Sequence, residues 1–278
     1  MDLINSFLQT LKQGGKQSHL NLTMIPLLAT NEGDPAYLTL EEGLGQGVVT
    51  ITEVSAGGSV PELKLINKSA DKILLFPFLI AGLSEIIIPV SCVEQGRWNY
   101  RSRSFAHGEK IMPPSLKREN LRNVALNLEQ GAGYRSNQGM LWDEIQGKSR
   151  RMKVNSSTMA MADLFEGQKD RLAEYLKAFH LVDSQVGALF GINGKVVGLE
   201  CFGHWQTFSK FFKKLVQSYA LDAVDMFEEK KTDHVPVEAV RQFMEGIQEA
   251  PRKSYASLGL GENIRAEGPF VSGGRAGL

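Results

Sequence analysis

The sequence is poor in three features that define large classes of proteins: cysteine, charge of one sign and long apolar runs. Its 278 residues include 2 cysteines, Cys92 and Cys201, which are too few for a disulfide framework or a cysteine metal cage. The 31 basic and 31 acidic residues cancel, so no overall charge attracts nucleic acid or an anionic membrane. No stretch reaches the roughly 20 apolar residues of a membrane span. These absences favour a reducing, cytoplasmic location without a nucleic-acid or membrane partner.

Signals for metals and cofactors are also scarce. The histidines never pair at metal-ligand spacing along the chain; they are His19, His107, His180, His204 and His234. Glycine runs occur in EGLGQGVV and LGLGENIR, but the first leads into a predicted strand and neither has dinucleotide spacing or a GK[ST] ending. We therefore predict no metal site and no cofactor, and we assign both glycine runs to turns.

The pattern of apolar residues predicts an α+β protein. Between residues 20 and 94, turn residues separate short segments rich in Val, Ile, Leu and Thr, which predicts antiparallel sheet structure in the N-terminal third; the segments are LNLTMIPLL, VVTITEV, ELKLI, KILLF and EIIIPVSCVE. From about residue 114 to 180 the period becomes that of helices. Asn193-Gly194 then provides the positive-φ pair of a type I′ turn, which predicts a later β-hairpin. Because regular βαβ alternation is absent, several helices are expected to pack on antiparallel sheets.

Two further helices and the chain ends complete the predicted organisation. A helix from about His204 to Glu228 carries an apolar stripe of Trp205, Phe208, Phe212, Leu215, Tyr219 and Met226. Another helix near 236–248 begins at Pro236. Residues 1–19 have helical apolar spacing without a signal-peptide pattern, which predicts an N-terminal docking helix. We expect a single α+β domain over 20–265 and a Gly-rich tail, part of it strand, over 266–278.

The segment SCVEQGRWNYRSRSF, residues 91–105, concentrates polar and aromatic side chains beyond a predicted strand. Alternate strand residues share a face, so Ile86, Ile88, Val90 and Cys92 are expected to face the core, with Glu94 at the end of the row. Cys92 is then interpreted as a small buried apolar residue. A nucleophilic role is disfavoured because the only base nearby in sequence, Glu94, would oppose formation of the thiolate.

Glu94 needs partners where the sheet ends, and two interpretations of its surroundings remain open. It can pair with a nearby arginine, such as Arg97, Arg101 or Arg103, and pin the turn. Alternatively, Arg97 and Arg101 hold a phosphate or carboxylate while Trp98 or Tyr100 stacks on a flat ring. The candidate ligand-binding residues are Glu94, Gln95, Arg97, Trp98, Tyr100 and Arg101. Arginine beside aromatic residues is also typical of protein interfaces.

Three residues are candidates for an acid or base: Glu94, His107 and Asp222. His107 lies in FAHGEK, just past the arginines. Asp222 falls on the apolar stripe of the long helix, where a carboxylate needs a partner. It either reaches water or an arginine near the helix end, or it faces the site as a partner or proton acceptor. No nucleophile with an evident base is visible, so the sequence identifies no reaction.

Several segments together resemble the ARG and rhodanese-phosphatase-superfamily-associated protein domain, a little-characterised bacterial family. They are IPVSCVEQGRWNYRSRSF, Gln138 and Trp142 with Ile145, QVGALFGINGKVVGLECFG and SYALDA. The similarity runs from about residue 20 to the tail. The family name records an association with ADP-ribosylglycohydrolase and phosphatase-type proteins, which implies a setting in ADP-ribose or NAD-derived metabolite chemistry. Members carry a longer segment before the SCVEQGRW strand, whereas here KILLF is followed at once by PFLIAGLSE.

Two functional hypotheses follow. In the first, the protein binds or processes a phosphorylated, nucleotide-type metabolite at the cluster of Glu94, Arg97, Trp98, Tyr100 and Arg101. In the second, the cluster belongs to a non-catalytic module and forms a homo-oligomer or partner interface. A pocket at the cluster would favour the first hypothesis, whereas a flat apolar surface with a polar rim would favour the second.

Overall fold

Helices and strands alternate in blocks in the computed structural model, which describes residues 3–30, 33–54, 62–90, 110–156, 160–229, 234–268 and 271–276. The helices are α1 Leu3–Thr10, α2 Leu40–Gly45, α3 Pro114–Glu129, α4 Gln138–Arg151, α5 Met161–Gly167, α6 Lys169–Ala178, α7 Trp205–Asp225 and α8 Val237–Glu249. The strands are β1 Lys12–Gln13, β2 Gln17–His19, β3 Leu22–Leu28, β4 Tyr37–Thr39, β5 Val49–Glu53, β6 Glu62–Asn67, β7 Lys72–Leu75, β8 Phe78–Ile80, β9 Ser84–Pro89, β10 Gln185–Ile192, β11 Lys195–Cys201, β12 Arg252–Ala256, β13 Glu262–Gly268 and β14 Val271–Ala276. The predicted α+β class is confirmed.

The main sheet has the order β1-β3-β10-β11, with β2 also paired to β3, and every pairing is antiparallel. Strand β10 is buried along its whole length because both of its faces are covered. On one face, the Tyr219 ring of α7 stacks on Phe190 with the ring centroids 3.8 Å apart. On the other face, Leu189 packs with Val240 and Phe243 of α8. Burial on both sides explains why this strand is a continuous apolar run.

The predicted hairpin joins β10 to β11. Asn193 and Gly194 both have positive φ, 51° and 75°, and Ile192 pairs with Lys195 across them. This geometry confirms the type I′ turn that Asn-Gly predicts. The Asn193 amide also donates to the carbonyl of Met226 at 2.8 Å, so the turn is attached to the end of α7.

Asn21 connects this turn to two helices. Its side chain, 1% exposed, donates to Asn193 Oδ1 at 3.0 Å and to the carbonyl of Ala223 at 2.9 Å. It accepts a hydrogen bond from Tyr175 Oη of α6 at 2.8 Å. Each polar atom of the amide is therefore satisfied in a place that water does not reach.

The remaining N-terminal strands form two smaller sheets. One has the antiparallel order β5-β6-β9, and the other has the order β4-β7-β8, in which β4 and β7 are parallel. The predicted strand segments are confirmed as far as the structure describes them, which for EIIIPVSCVE is up to Val90. They are divided among separate sheets, and the parallel pair was not predicted. Helix α2 follows β4 directly and lets the chain turn away before β7 returns beside β4. Strands β7 and β8 are joined by the two-residue turn Phe76-Pro77, which contains a cis peptide bond.

Several predicted boundaries differ from the structure. On α7, Trp205 and Met226 are 43% and 41% exposed, because they lie at its two ends where the apolar stripe leaves the sheet. Helix α1 ends at Thr10, and β1 and β2 occupy the rest of the segment expected to be a docking helix. The Gly-rich tail was predicted to begin at residue 266, but this residue lies inside β13, which pairs with β14. No helix of the described segments is long and apolar enough to cross a membrane.

Replacing Asn21 with Ala removes three hydrogen bonds and leaves the Tyr175 hydroxyl and the Ala223 carbonyl unpaired. We expect the free energy of unfolding to fall by about 2 to 3 kcal/mol. Urea denaturation measures this loss. Tyr175→Phe is the matched control, because it removes one of the same hydrogen bonds and is expected to cost about 1 kcal/mol. Equal losses in the two variants would show that Asn21 does not join the turn to α7.

Candidate functional site

The predicted ligand cluster falls in residues 91–109, outside the described residues. This applies to Glu94, Gln95, Arg97, Trp98, Tyr100 and Arg101, and also to Cys92, Arg103 and His107. The strand that leads to them is described. Ile86, Ile88 and Val90 pack in one apolar cluster, whereas Ile87 is exposed, which confirms the predicted alternation up to Val90.

Gln138 contacts the chain at the point where it enters this segment. Helix α4 begins here because the Asn137 side chain accepts a hydrogen bond from the backbone N–H of Met140. Gln138 Nε2 donates to the carbonyl of Val90 at 3.2 Å and to Ser136 Oγ at 3.0 Å. The other atom of the amide, Oε1, is buried and accepts no hydrogen bond from the described residues. A buried acceptor is therefore available beside the end of β9.

The chain leaves the same segment against α7. Lys110 Nζ donates to Gln217 Oε1 at 3.2 Å and lies 5.5 Å from the centre of the Phe165 ring. Two residues later, Ser218 Oγ donates to the carbonyl of Met112 at 2.9 Å. Both ends of the segment that holds the predicted cluster are thus attached to helices, one to the start of α4 and the other to the middle of α7.

Asp222, a predicted acid or base candidate, lies in a buried ion pair. Its carboxylate is 2% exposed and accepts hydrogen bonds from the backbone N–H and the hydroxyl of Ser115 at 2.8 and 2.9 Å. Lys148 Nζ, 0% exposed, donates to Asp222 Oδ1 at 2.7 Å. The partners are therefore a lysine and the start of α3, in place of the water or arginine considered from sequence. Through these contacts, the Asp222 carboxylate of α7 links this helix to α3 and α4.

The ion pair continues to Asp225, one turn further along α7. Lys148 Nζ donates to Asp225 Oδ2 at 2.8 Å, and Arg151 Nε donates to Oδ1 at 2.8 Å. Burial acts to raise the pKa of Asp225, but the hydrogen bonds from Arg151 and Lys148 outweigh it and hold this pKa below its ordinary value. Burial likewise acts to lower the pKa of Lys148, and the two aspartates outweigh it and raise that pKa. Asp225 and Lys148 therefore both stay charged near neutral pH.

A second charged group lies beside Tyr219, about one turn before Asp222 on α7. Lys117 Nζ of α3 contacts both carboxylate oxygens of Glu200 at 2.6 and 2.8 Å, and Tyr219 Oη donates to Glu200 Oε1 at 3.3 Å. Burial, reinforced by Glu200, raises the pKa of Tyr219 well above its ordinary value. The Lys117 ammonium lies 5.1 Å from the centre of the Phe76 ring. This group was not predicted, although a glutamate inside the apolar run VVGLECF indicates a buried carboxylate that needs a partner.

The described residues contain no group of three His, Cys, Asp or Glu side chains that could hold a metal ion. Two of the described histidines contact tyrosines instead. His19 packs edge-on against Tyr175 and His204 against Tyr37, with centroid distances of 5.0 and 6.4 Å.

Comparison with known proteins gives one match. A family model described as the ARG and Rhodanese-Phosphatase-superfamily-associated Protein domain matches residues 10–77 and 78–276. The two matched segments meet between residues 77 and 78, in the short turn between β7 and β8. No curated protein and no solved structure matches the chain.

Replacing Lys148 with Met leaves two aspartates buried without their ammonium partner. We expect the free energy of unfolding to fall by about 3 to 5 kcal/mol, because an uncompensated buried charge is costly. Lys169→Met is the matched control, since Lys169 pairs with Glu166 at the surface and such pairs contribute about 0 to 1 kcal/mol. Urea denaturation of both variants checks the difference. Similar urea midpoints for Lys148→Met and Lys169→Met would show that loss of the buried Lys148 ion pairs does not destabilise the protein.

The lowered pKa of Asp225 makes stability depend on acid pH. The folded-state pKa of Asp225 lies below the unfolded value of about 3.9. The stabilisation by the Asp225 ion pairs is therefore present above about pH 3.9 and is lost as the pH falls from there through the folded-state pKa. We expect Asp225→Asn to flatten the decline in unfolding free energy below about pH 5. Asp143→Asn, at an exposed position of α4, is the control for the loss of one surface carboxylate. Urea titrations at several pH values test this, and an unchanged slope in Asp225→Asn would contradict it.

Proposed function

Because the chain belongs to the ARG and Rhodanese-Phosphatase-superfamily-associated Protein domain family, we propose that it binds a phosphorylated, nucleotide-type metabolite of the ADP-ribose and NAD group. The binding residues in this proposal are Glu94, Gln95, Arg97, Trp98, Tyr100 and Arg101. Arg97 and Arg101 contact the phosphates, Trp98 or Tyr100 stacks on the base, and Glu94 and Gln95 contact ligand hydroxyls.

The residue types suit a pyrophosphate-linked ligand. A guanidinium group stays charged at every physiological pH and presents parallel N–H donors that match two phosphate oxygens. Because the net charge of the chain is zero, affinity for an anion must come from such a local group and not from the overall field. An aromatic ring beside the arginines adds a surface for a nucleobase.

Gln138 is the observation that carries the proposal. Its Oε1 atom is buried beside Val90 without a hydrogen bond from the described residues, and such an atom costs about 1 to 3 kcal/mol if nothing donates to it. Glu94 is four residues beyond Val90, so its backbone lies within about 14 Å of that carbonyl whatever path the chain takes. In this proposal a ligand hydroxyl or an arginine of the cluster donates to Gln138 Oε1. Gln138 also belongs to the residues that resemble the family.

Isothermal titration calorimetry with ADP-ribose, NAD and ribose 5-phosphate tests the proposal on the full chain. We expect ADP-ribose or NAD to bind, and Arg97→Gln to weaken binding at least tenfold, since a hydrogen bond to a charged group contributes about 1.5 to 3 kcal/mol. Arg122→Gln is the matched control, because Arg122 is exposed on α3. Gln138→Leu should also weaken binding, because it removes the buried acceptor.

The absence of heat with every probe would overturn the proposal, as would equal affinities for Arg97→Gln and Arg122→Gln. Thermal unfolding of each variant shows whether it is folded, and a ligand at 100 times its dissociation constant should add about 2.7 kcal/mol of stability. The mass of each variant in solution tests the alternative hypothesis, in which the cluster forms an oligomer interface. If Arg97→Gln changes the oligomeric state and no probe binds, the cluster is an interface.

A further inference from the structure

Asn193-Gly194 is the only Asn-Gly pair of the chain, and the proposed ligand site does not use it. Asparagine followed by glycine is open to deamidation, because glycine has no side chain to shield its backbone nitrogen. In this reaction the Gly194 nitrogen bonds to Cγ of Asn193 and closes a succinimide ring. The bond from Cγ to Nδ2 breaks, and Nδ2 leaves as ammonia with the proton that the Gly194 nitrogen gives up. Water then opens the ring to aspartate or isoaspartate.

The backbone of the folded turn keeps the two reacting atoms apart. Asn193 has a φ of 51° and Gly194 a φ of 75°, as in a type I′ turn, in which ψ of the first residue is about 30°. In this conformation the Gly194 nitrogen and the Asn193 Cβ lie on opposite sides of the Cα–C bond of Asn193, whereas ring closure needs them on the same side. The peptide plane must therefore turn over, which disrupts the pairing of Ile192 with Lys195.

Hydrogen bonds also hold the Asn193 amide in place. Nδ2 donates to the Met226 carbonyl at 2.8 Å, and Oδ1 accepts from Asn21 Nδ2 at 3.0 Å. The backbone N–H of Asn193 donates to the Asn21 carbonyl at 2.9 Å. Asn21 is 1% exposed and is itself bonded to Ala223 and Tyr175, so it cannot follow a turn that moves outward. Ring closure must therefore break contacts on both polar atoms of the Asn193 amide.

We propose that Asn193 is a deamidation site that stays closed while the turn is bonded to Asn21 and Met226, and that its conversion detaches the β10–β11 hairpin from α7. The Asn193 side chain is half-buried, so water reaches it when the turn opens. Its amide donates to the Met226 carbonyl, whereas a carboxylate can only accept. The new charge also lies at the C-terminal end of α7, where the helix carbonyls repel an anion.

This proposal does not depend on the ligand site. It involves neither Gln138 nor residues 91–109, and its readouts are the mass of one peptide and the stability of the chain. The ligand proposal and the deamidation proposal can therefore fail separately.

Peptide mapping of the full chain after incubation at mildly alkaline pH tests the closed state. Trypsin releases residues 178–195, AFHLVDSQVGALFGINGK, whose single asparagine is Asn193. We expect this asparagine to deamidate more slowly by about tenfold or more in the folded chain than in guanidinium. Asn21→Ala should raise the rate in the folded chain by about tenfold, because it frees Asn193 Oδ1 and favours opening of the turn. Tyr175→Phe is the control and should raise it less, since both bonds of the Asn193 side chain remain.

Asn193→Asp tests the consequence, because it places the product of the reaction at the turn without incubation. We expect its midpoint of thermal unfolding to lie below those of the wild type and of Asn193→Gly. Glycine also lacks the bond to Met226 and accepts the positive φ, but it brings no charge to the end of α7.

Equal deamidation rates in the folded and the unfolded wild type would overturn the proposal, as would equal rates for Asn21→Ala and Tyr175→Phe. So would an unfolding midpoint of Asn193→Asp as high as that of Asn193→Gly. Lys148→Met is destabilised at the ion pairs and not at the turn, and a rate as high as that of Asn21→Ala would mean that the site opens only by global unfolding. Circular dichroism shows which variants are folded; if Asn21→Ala is not, the wild-type rates and Asn193→Asp decide.

Discussion

A lysine ammonium without access to water sets the arrangement of the helices. Lys148 reaches Asp222 and Asp225 only when the end of α4 lies against the C-terminal half of α7, and Asp222 also holds the start of α3 through Ser115. Apolar side chains can still pack after one helix shifts slightly along another. A buried charge that loses its partner in such a shift is strongly destabilising. Because α7 in turn packs on β10, these contacts fix three helices relative to the main sheet.

The same contacts determine where the candidate ligand segment can lie. Helix α4 is a rod of 14 residues with Lys148 near one end and Gln138 at the other. Fixing its end on α7 therefore fixes the position of Gln138 beside Val90. The far end of the segment is held by Gln217 and Ser218, which belong to α7 itself. One internal charge network thus positions both anchors of residues 91–109.

The features of this fold that could be predicted from the sequence are those determined by residues close together in the chain. The Asn193-Gly194 turn could be predicted because the two residues themselves supply the required φ angles, and the inward row of Ile86, Ile88 and Val90 because side chains alternate along a strand. The ion pairs could not, since Lys148 and Asp222 are 74 residues apart and Lys117 and Glu200 are 83 apart. The parallel pairing of β4 with β7 is non-local in the same way. The roles of Glu94 to Arg101 remain predictions from residue type and family.

The pairing of β3 with β10 has a consequence for how the protein is made. Ile25 of β3 pairs with Leu189 of β10, so β3 pairs with a strand that follows it by about 160 residues in the chain. At about 5 to 20 residues per second, that interval is about 8 to 30 s of translation. During it, the apolar strand β3 has emerged from the ribosome while one of its edges is still open, a state in which other chains can pair with it. The main sheet is therefore completed only when the hairpin of β10 and β11 has been made.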